Sequence, residues 1–255
     1  MQLKDQVAVV TGASQGIGQT IAETFAREGA KVVVVARNEE NLHNVASGIE
    51  GEGGTVTPCA ASVSAEEDVR RVVDTAVDAY GKLDVLVNNA GIAGPVAAIE
   101  DTDLAGWQEC IATNLTGAWL CCREVTRVMK PAQSGKIINI GSISGKRPLP
   151  QRTPYCASKM GLVGLTRSLA AELGAFNINV NCISPGAVKS PRLELLAEKA
   201  SMSLEDLFAR VSAGSALGRV GEPEDIAGLC VYLATAAAHN ITGQDFTVDA
   251  GTYMD

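Results

Sequence analysis

Residues 7–18 read VAVVTGASQGIG. A β-branched run ends in a turn carrying Gly12, Gly16 and Gly18, after which Ile17, Ile21 and Phe25 recur every four residues. The pattern is a strand, a tight turn and one apolar face of a helix. Glycine lets the backbone turn sharply and approach a ligand closely. A helix beginning near Gly16 aims its first N–H groups at whatever anion lies above the turn. The place of the glycines, between first strand and first helix, separates a dinucleotide-binding turn from an ordinary strand-to-helix turn. Gly12, Ser14, Gln15, Gly16, Ile17 and Gly18 are the expected contacts to a pyrophosphate.

The same alternation continues outward. Glu28-Gly29 closes the first helix with a glycine, and Lys31–Ala36 (KVVVVA) is a strand buried on both faces. A polar helix follows over about residues 38–50, then a strand at Thr55–Ala60 and a helix over 65–80 with Val69, Val72, Val73, Ala76 and Val77 inward. Further strands are expected at 83–88, 136–141, 178–183 and 246–248. Helices are expected at 104–129, stopped by Pro131, at 154–173 with Leu162, Leu165 and Leu169 on one side, and from Pro223, which suits a first turn. Repeated strand–helix units imply an α/β fold, a doubly wound parallel sheet of Rossmann type. No linker or repeat divides the chain, so residues 1–255 are expected to form a single domain. The irregular stretch 185–219 follows the C-terminal end of a strand, where ligands bind in open α/β sheets.

Composition narrows the function. Of 255 residues 46% are hydrophobic and 20% charged, enough for a core without metal or disulfide. The net charge of −8 argues against a nucleic-acid partner. The seven cysteines form no CxxC pair, and Cys121 and Cys122 are adjacent, so reduced thiols in a cytoplasmic protein are expected. The two histidines, His43 and His239, lie far apart and read as surface residues, leaving neither a metal site nor a Ser-His-Asp triad. No secretory signal or membrane span is expected.

The end of the second strand reports on the ribose. An acid there binds the 2′-hydroxyl of NAD, whereas an arginine accommodates the 2′-phosphate of NADP. Here Ala36 is followed by Arg37. NADP is therefore favoured; NAD stays the alternative, because Glu39 and Glu40 would repel a phosphate if they faced it.

At this point the residues resemble a family. TGASQGIG at 11–18, NNAG at 88–91, Asn114, Ser142, Tyr155-x-x-x-Lys159 and Pro185-Gly186 follow one another as in the classical short-chain dehydrogenases/reductases, over essentially the whole chain. The chemistry is readable without the name. Tyrosine, with a reference pKa near 10, is a poor base at neutral pH. Lys159, four residues on, shares its helix face, and a nearby ammonium favours the phenolate. Ser142, at a strand's end, can hydrogen-bond a substrate oxygen as charge develops. The resemblance implies that Lys159 also holds the nicotinamide ribose and that Asn114 positions a water in a proton relay. It implies that Asn88 supports the sheet centre and that Asn89, Ala90 and Gly91 lie along the cofactor. It further implies that Pro185, Gly186 and Val188 contact the nicotinamide amide, with Ser190 in place of a commoner threonine. Ser62, then Val63, stands where the family commonly has an acid or amide for the adenine.

The expected substrate is a small ketone/secondary alcohol pair. The expected lid spans about residues 186–219, with Leu193, Leu196, Leu204, Leu207, Phe208 and Val211 available as an apolar wall. Lys146, Arg147 and Arg152 flank the tyrosine and hint at an anionic substrate, or are plain surface charge. Two other functions stay open: a 3-oxoacyl-thioester reductase, on acyl carrier protein or CoA, and a catalytically silent nucleotide-sensing regulator. The resemblance also implies a homotetramer, with the face around Trp119, Leu120 and Cys121 and the tail at Tyr253-Met254 as candidate contacts.

Overall fold

A computed structural model describes residues 1–199 and 202–254. The apolar runs form strands β1 (Val7–Thr11), β2 (Lys31–Ala36), β3 (Thr55–Ala60), β4 (Val85–Asn88), β5 (Gly135–Ile140), β6 (Ile178–Pro185) and β7 (Asp245–Val248). All pair parallel in the order β3-β2-β1-β4-β5-β6-β7. The chain changes direction across the sheet between β1 and β4, and a crevice opens there at the strands' C-terminal ends.

The two-residue period of the strands sorts the core. Ala8, Val10, Val32 and Val34 face the layer made by α1 (Gly16–Arg27), α2 (Glu39–Gly51) and α10 (Pro223–Ala234). Val7, Val9, Val33 and Val35 face α3 (Glu66–Tyr80), α5 (Gly117–Ala132) and α7 (Thr153–Leu173). Every residue of β1 is buried, as a strand covered on both sides requires. Gly29 (φ +90°) follows the end of α1, as the glycine there implies.

The structure departs from the expected elements in three places. The long helix at 104–129 is two helices, α4 (Leu104–Ile111) and α5, joined by a π-turn at Ala112–Thr116 whose closing bond runs from the Gly117 N–H to the Ala112 carbonyl. Pro131 does not stop α5. The helix runs on to Ala132, and Gln133, at φ 52°, ends it in the left-handed region. A proline in the last turn removes one N–H and leaves the cap to its neighbour. The stretch expected to be irregular holds two helices, α8 (Pro191–Lys199) and α9 (Leu204–Ala213). Among the described residues no helix is long and apolar enough to cross a membrane.

Candidate active site

The glycine turn is shaped by steric necessity. Gly12 (φ +65°) and Gly16 (φ +58°) occupy the left-handed region that side chains disfavour, and a Cβ on Gly12 would stand 2.7 Å from the Ala90 Cα. A Cβ on Gly18 would stand 2.3 Å from the Asn89 amide nitrogen and from the Gly12 carbonyl oxygen. The turn and residues 89–91 are thus closed on each other. Asn89 Nδ2 donates to the Thr11 and Gly12 carbonyls, both at 3.0 Å, and the Thr11 hydroxyl accepts from the N–H groups of Asn89 and Ala90, both at 3.1 Å. Behind them Asn88 Nδ2 donates to Asn139 Oδ1 at 2.9 Å, and Asn139 passes a bond on to Thr166. Asn88 thereby sits at the sheet centre, where the resemblance put it.

A cavity of about 720 Å³ lies over this turn. Gly12, Ser14, Gln15, Gly16, Ile17, Gly18, Arg37, Ser62, Val63, Asn89, Ala90 and Gly91 line it. Asn38, Asn41 and Thr113 line it as well, without having been read from sequence. Among the described residues Arg37 is the one charged residue in this lining. Glu39 and Glu40 are exposed in the first turn of α2 and outside it, because the Asn38 side chain caps that helix, accepting from the Asn41 N–H at 2.9 Å, and turns them away. Ser62 is fixed by its own N–H, which donates to Asp68 Oδ2 at 2.8 Å, and its hydroxyl pairs with that of Ser64. The Ser62 N–H, then Arg71, hold the Asp68 carboxyl below its ordinary range. The glycine cradle, the N-terminus of α1 and a lining without an acid among the described residues fit a dinucleotide.

A second cavity, of about 320 Å³, shares Ile17, Asn89, Gly91 and Ser190 with the first. Ser142, Tyr155 and Lys159 lie together in its wall, with Pro185, Gly186 and Val188 among the facing residues. Tyr155 is 6% exposed and Lys159 4%. The Lys159 ammonium donates to the Ile140 carbonyl at 2.7 Å and lies 5.9 Å from the centroid of the Tyr155 ring. Ser142 caps the short turn α6 (Ile143–Lys146), its hydroxyl accepting from the Ser144 N–H at 3.1 Å. The Ser190 hydroxyl donates to the Val188 carbonyl at 3.1 Å.

Asn114 is placed differently. It is 1% exposed and outside both linings. Its Oδ1 accepts from the Ile92 N–H at 2.7 Å, and its Nδ2 donates to the Ile92 carbonyl and the Ser158 hydroxyl, both at 3.0 Å. The π-turn brings it there, a common use of that bulge at functional sites. A Cβ on Gly91 would lie 3.2 Å from Asn114 Oδ1 and 3.5 Å from Lys159 Nζ, so the two side chains converge behind Gly91. Ser158, fully buried, donates to the Tyr155 carbonyl at 2.8 Å and ties Asn114 to the tyrosine's helix. Its spacing, three residues after Tyr155, was the signal available in the sequence.

Three cations were candidates for an anionic substrate; the structure separates them. Lys146 turns away from the cavity, 3.3 Å from Asp245 Oδ2 and bonded to the Thr247 hydroxyl at 2.8 Å. Arg147 reaches the Thr252 carbonyl. Arg152 alone lines the cavity. Of the expected apolar wall Leu193 lines it; Leu204, Leu207, Phe208 and Val211 are half-buried elsewhere, and the Leu196 side chain lies outside the described residues. The seven cysteines are thiols rather than disulfides, and both histidines are exposed on helix turns.

With the geometry in place, comparison with known proteins is informative. Residues 12–253 match the family model described as enoyl-(acyl carrier protein) reductase. A 3-oxoacyl-[acyl-carrier-protein] reductase of Thermotoga maritima is 36% identical over 98% of this chain and 99% of its own. Secoisolariciresinol dehydrogenase of Forsythia intermedia is 37% identical over 98% of this chain and 90% of its own. A variant of actinorhodin polyketide ketoreductase, solved with NADPH, superposes with a TM-score of 0.93 at 34% identity over 99% of each chain. The chain belongs to the short-chain dehydrogenase/reductase family of oxidoreductases.

Proposed function

We propose that this protein interconverts a ketone and a secondary alcohol with NADP, Tyr155 exchanging the proton. The observation that carries the reading is the shared wall of Ser142, Tyr155 and Lys159, in a cavity that has Ile17, Asn89, Gly91 and Ser190 in common with the one over the glycine turn. A bound nicotinamide supplies the hydride chemistry. The protein's part is proton transfer and orientation. The Tyr155 phenol gives its proton to the carbonyl oxygen. The buried Lys159 ammonium, fixed by the Ile140 carbonyl, stabilises the phenolate left behind. The Ser142 hydroxyl donates to the same substrate oxygen as negative charge builds. Asn114, held by Ile92 and Ser158, keeps Gly91 and Lys159 in register. Leu193 and helices α8 and α9 act as the lid that excludes water.

NADP is favoured because the adenosine end of the cavity carries Arg37 and, among the described residues, no acid. The second reading, reduction of a 3-oxoacyl thioester, is favoured by relatives of that name in Thermotoga maritima and Synechocystis. The family supports a cytoplasmic protein. A homotetramer is the assembly proposed. Trp119 (44% exposed), Met160 (49%) and Met254 (75%) offer its apolar contacts, whereas Leu120 and Cys121 belong to the core. Light scattering on the purified protein reads that state directly. A panel of ketones, secondary alcohols and acyl thioesters, followed by the absorbance of reduced nicotinamide with each cofactor, tests the reaction. Turnover of ketones with NADPH is expected. Cofactor binding without turnover of any member would refute the reading.

A further inference from the structure

Ser142 must aim its hydroxyl at one point, yet the segment that carries it is short. β5 ends at Ile140, Gly141 follows, and Ser142 caps the single turn α6, which ends at Lys146. One helical turn does not keep its shape in water unaided. Its supports come from the far end of the chain. β7 pairs with β6 so that Asp245 lies beside Cys182 and Thr247 beside Ser184. Asp245 and Thr247, two residues apart, stand on one face of the sheet. The Asp245 side chain is 3% exposed. Its Oδ1 accepts from the Ser184 hydroxyl at 2.6 Å. The Lys146 ammonium lies 3.3 Å from its Oδ2 and donates to the Thr247 hydroxyl at 2.8 Å. Ser184 in turn packs against Gly141, where a Cβ would stand 2.8 Å from both the Ser184 Oγ and the Cys182 Sγ. The Gly141 N–H donates to the Ile183 carbonyl at 2.7 Å. Both ends of the Ser142 turn therefore rest on one buried carboxylate.

We propose that Asp245 is a positioning residue for Ser142, acting through Ser184 beneath Gly141 and through Lys146 at the end of the turn. The proposal rests on the role given to Ser142 above. Gly141 seated on Ser184 sets where the chain leaves the sheet, and Lys146 drawn to Asp245 sets where the turn returns to it. Ser142 is held between these two points. Its oxygen accepts from the Ser144 N–H, which leaves its own hydrogen to give to a substrate oxygen. Asp245 lines neither cavity, so its effect on the reaction passes through the turn. A buried ion pair adds little net stability over apolar residues of the same volume, and fixing one geometry is the use left to it here. That geometry matters because a group displaced by about 1 Å can cost on the order of 100-fold in rate.

The test is a double-mutant cycle between Asp245→Asn and Ser142→Ala on the full chain with cofactor, read as kcat and KM for the best ketone of the panel. Ser142→Ala alone is expected to lower kcat about 100-fold or more, the usual loss of one donor to a developing oxyanion. Asp245→Asn alone is expected to lower kcat about 10- to 100-fold with KM within about twofold, since a misaimed donor weakens the transition state and not the ground state. With alanine at 142 there is no hydroxyl left to aim, so Asp245→Asn is expected to cost less than about threefold more. Lys146→Met is expected to repeat the pattern more weakly, and Lys146→Arg to restore most of the kcat. If Asp245→Asn does not fold, Lys146→Met takes its place in the cycle with the same threshold. A further loss of threefold or more in the Ser142→Ala background would overturn the proposal, because a merely structural role acts alike in both. So would an Asp245→Asn kcat equal to the parent's. Either result leaves the role of Ser142 standing. A Ser142→Ala variant that turns over like the parent refutes that role, and the proposal with it.

Discussion

Arg37→Asp should reverse the cofactor preference, and the size of the swing follows from the site. Among the described residues Arg37 is the single charge lining the first cavity, and it is exposed. A charge-assisted bond from it to a 2′-phosphate contributes about 1.5 kcal/mol, the low end of the range because water screens it. A carboxylate in its place, about 6 Å from a phosphate dianion in water, adds repulsion of about 1 kcal/mol. Together the preference should move roughly 50- to 100-fold toward NAD, at 1.4 kcal/mol per decade. Arg37→Gln, which removes charge without reversing it, should move it about tenfold. The assay is kcat/KM for NADPH and for NADH at saturating ketone, at low and at high salt. The swing should shrink as salt rises. An unchanged ratio, or equal losses with both cofactors, would mean that Arg37 does not face the 2′-position.

Ser158→Ala removes a buried hydroxyl that bonds both Asn114 and the Tyr155 carbonyl. It should cost about 1–2 kcal/mol and a few degrees in Tm, with kcat falling more than KM rises, since Asn114 loses an anchor behind Gly91; a calorimetric Tm equal to the parent's would contradict the network. Acid sensitivity should be traceable in part to Asp68, whose folded carboxyl binds its proton more weakly than an ordinary aspartate does because the Ser62 N–H and Arg71 hold it ionised. Its contribution is therefore complete above about pH 4 and is lost as the pH falls through the lowered folded value. Asp68→Asn should flatten the acid side of a urea-midpoint series; an identical slope would remove Asp68 from the account. Thiol titration of the native protein near pH 8 should find Cys156 first. It is half-buried, whereas burial pushes the Cys122 and Cys182 thiols up to about 12 and those of Cys121 and Cys230 further still. Rapid labelling of Cys122 or Cys230 would show that the core opens easily.

The parts legible in the sequence were those decided by short-range physics. Lys31–Ala36 is a strand end to end because four of its six residues are valines, which favour extended backbone, and Gly29 lies just before it. The glycine turn was readable because its φ angles and close approaches admit no side chain. Tyr155 and Lys159 share a wall because four residues on a helix is one turn. What escaped depends on contacts distant in the chain. Nothing local in residues 112–116 calls for a π-turn; the Asn114 amide reaching Ile92 and Ser158 does. Lys146 looked like a site cation until the fold brought Asp245 beside it. Glu39 and Glu40 looked opposed to a phosphate until the Asn38 cap fixed the start of α2.

The most direct test of the account is Tyr155→Phe, which deletes one oxygen and keeps the ring that Arg152 and Lys159 approach. Cofactor affinity by nicotinamide fluorescence should stay within a few-fold of the parent. Ketone turnover should fall about 10³-fold or more, with no recovery at high pH. Turnover within tenfold of the parent, with cofactor still bound, would contradict the assignment of the proton to this phenol.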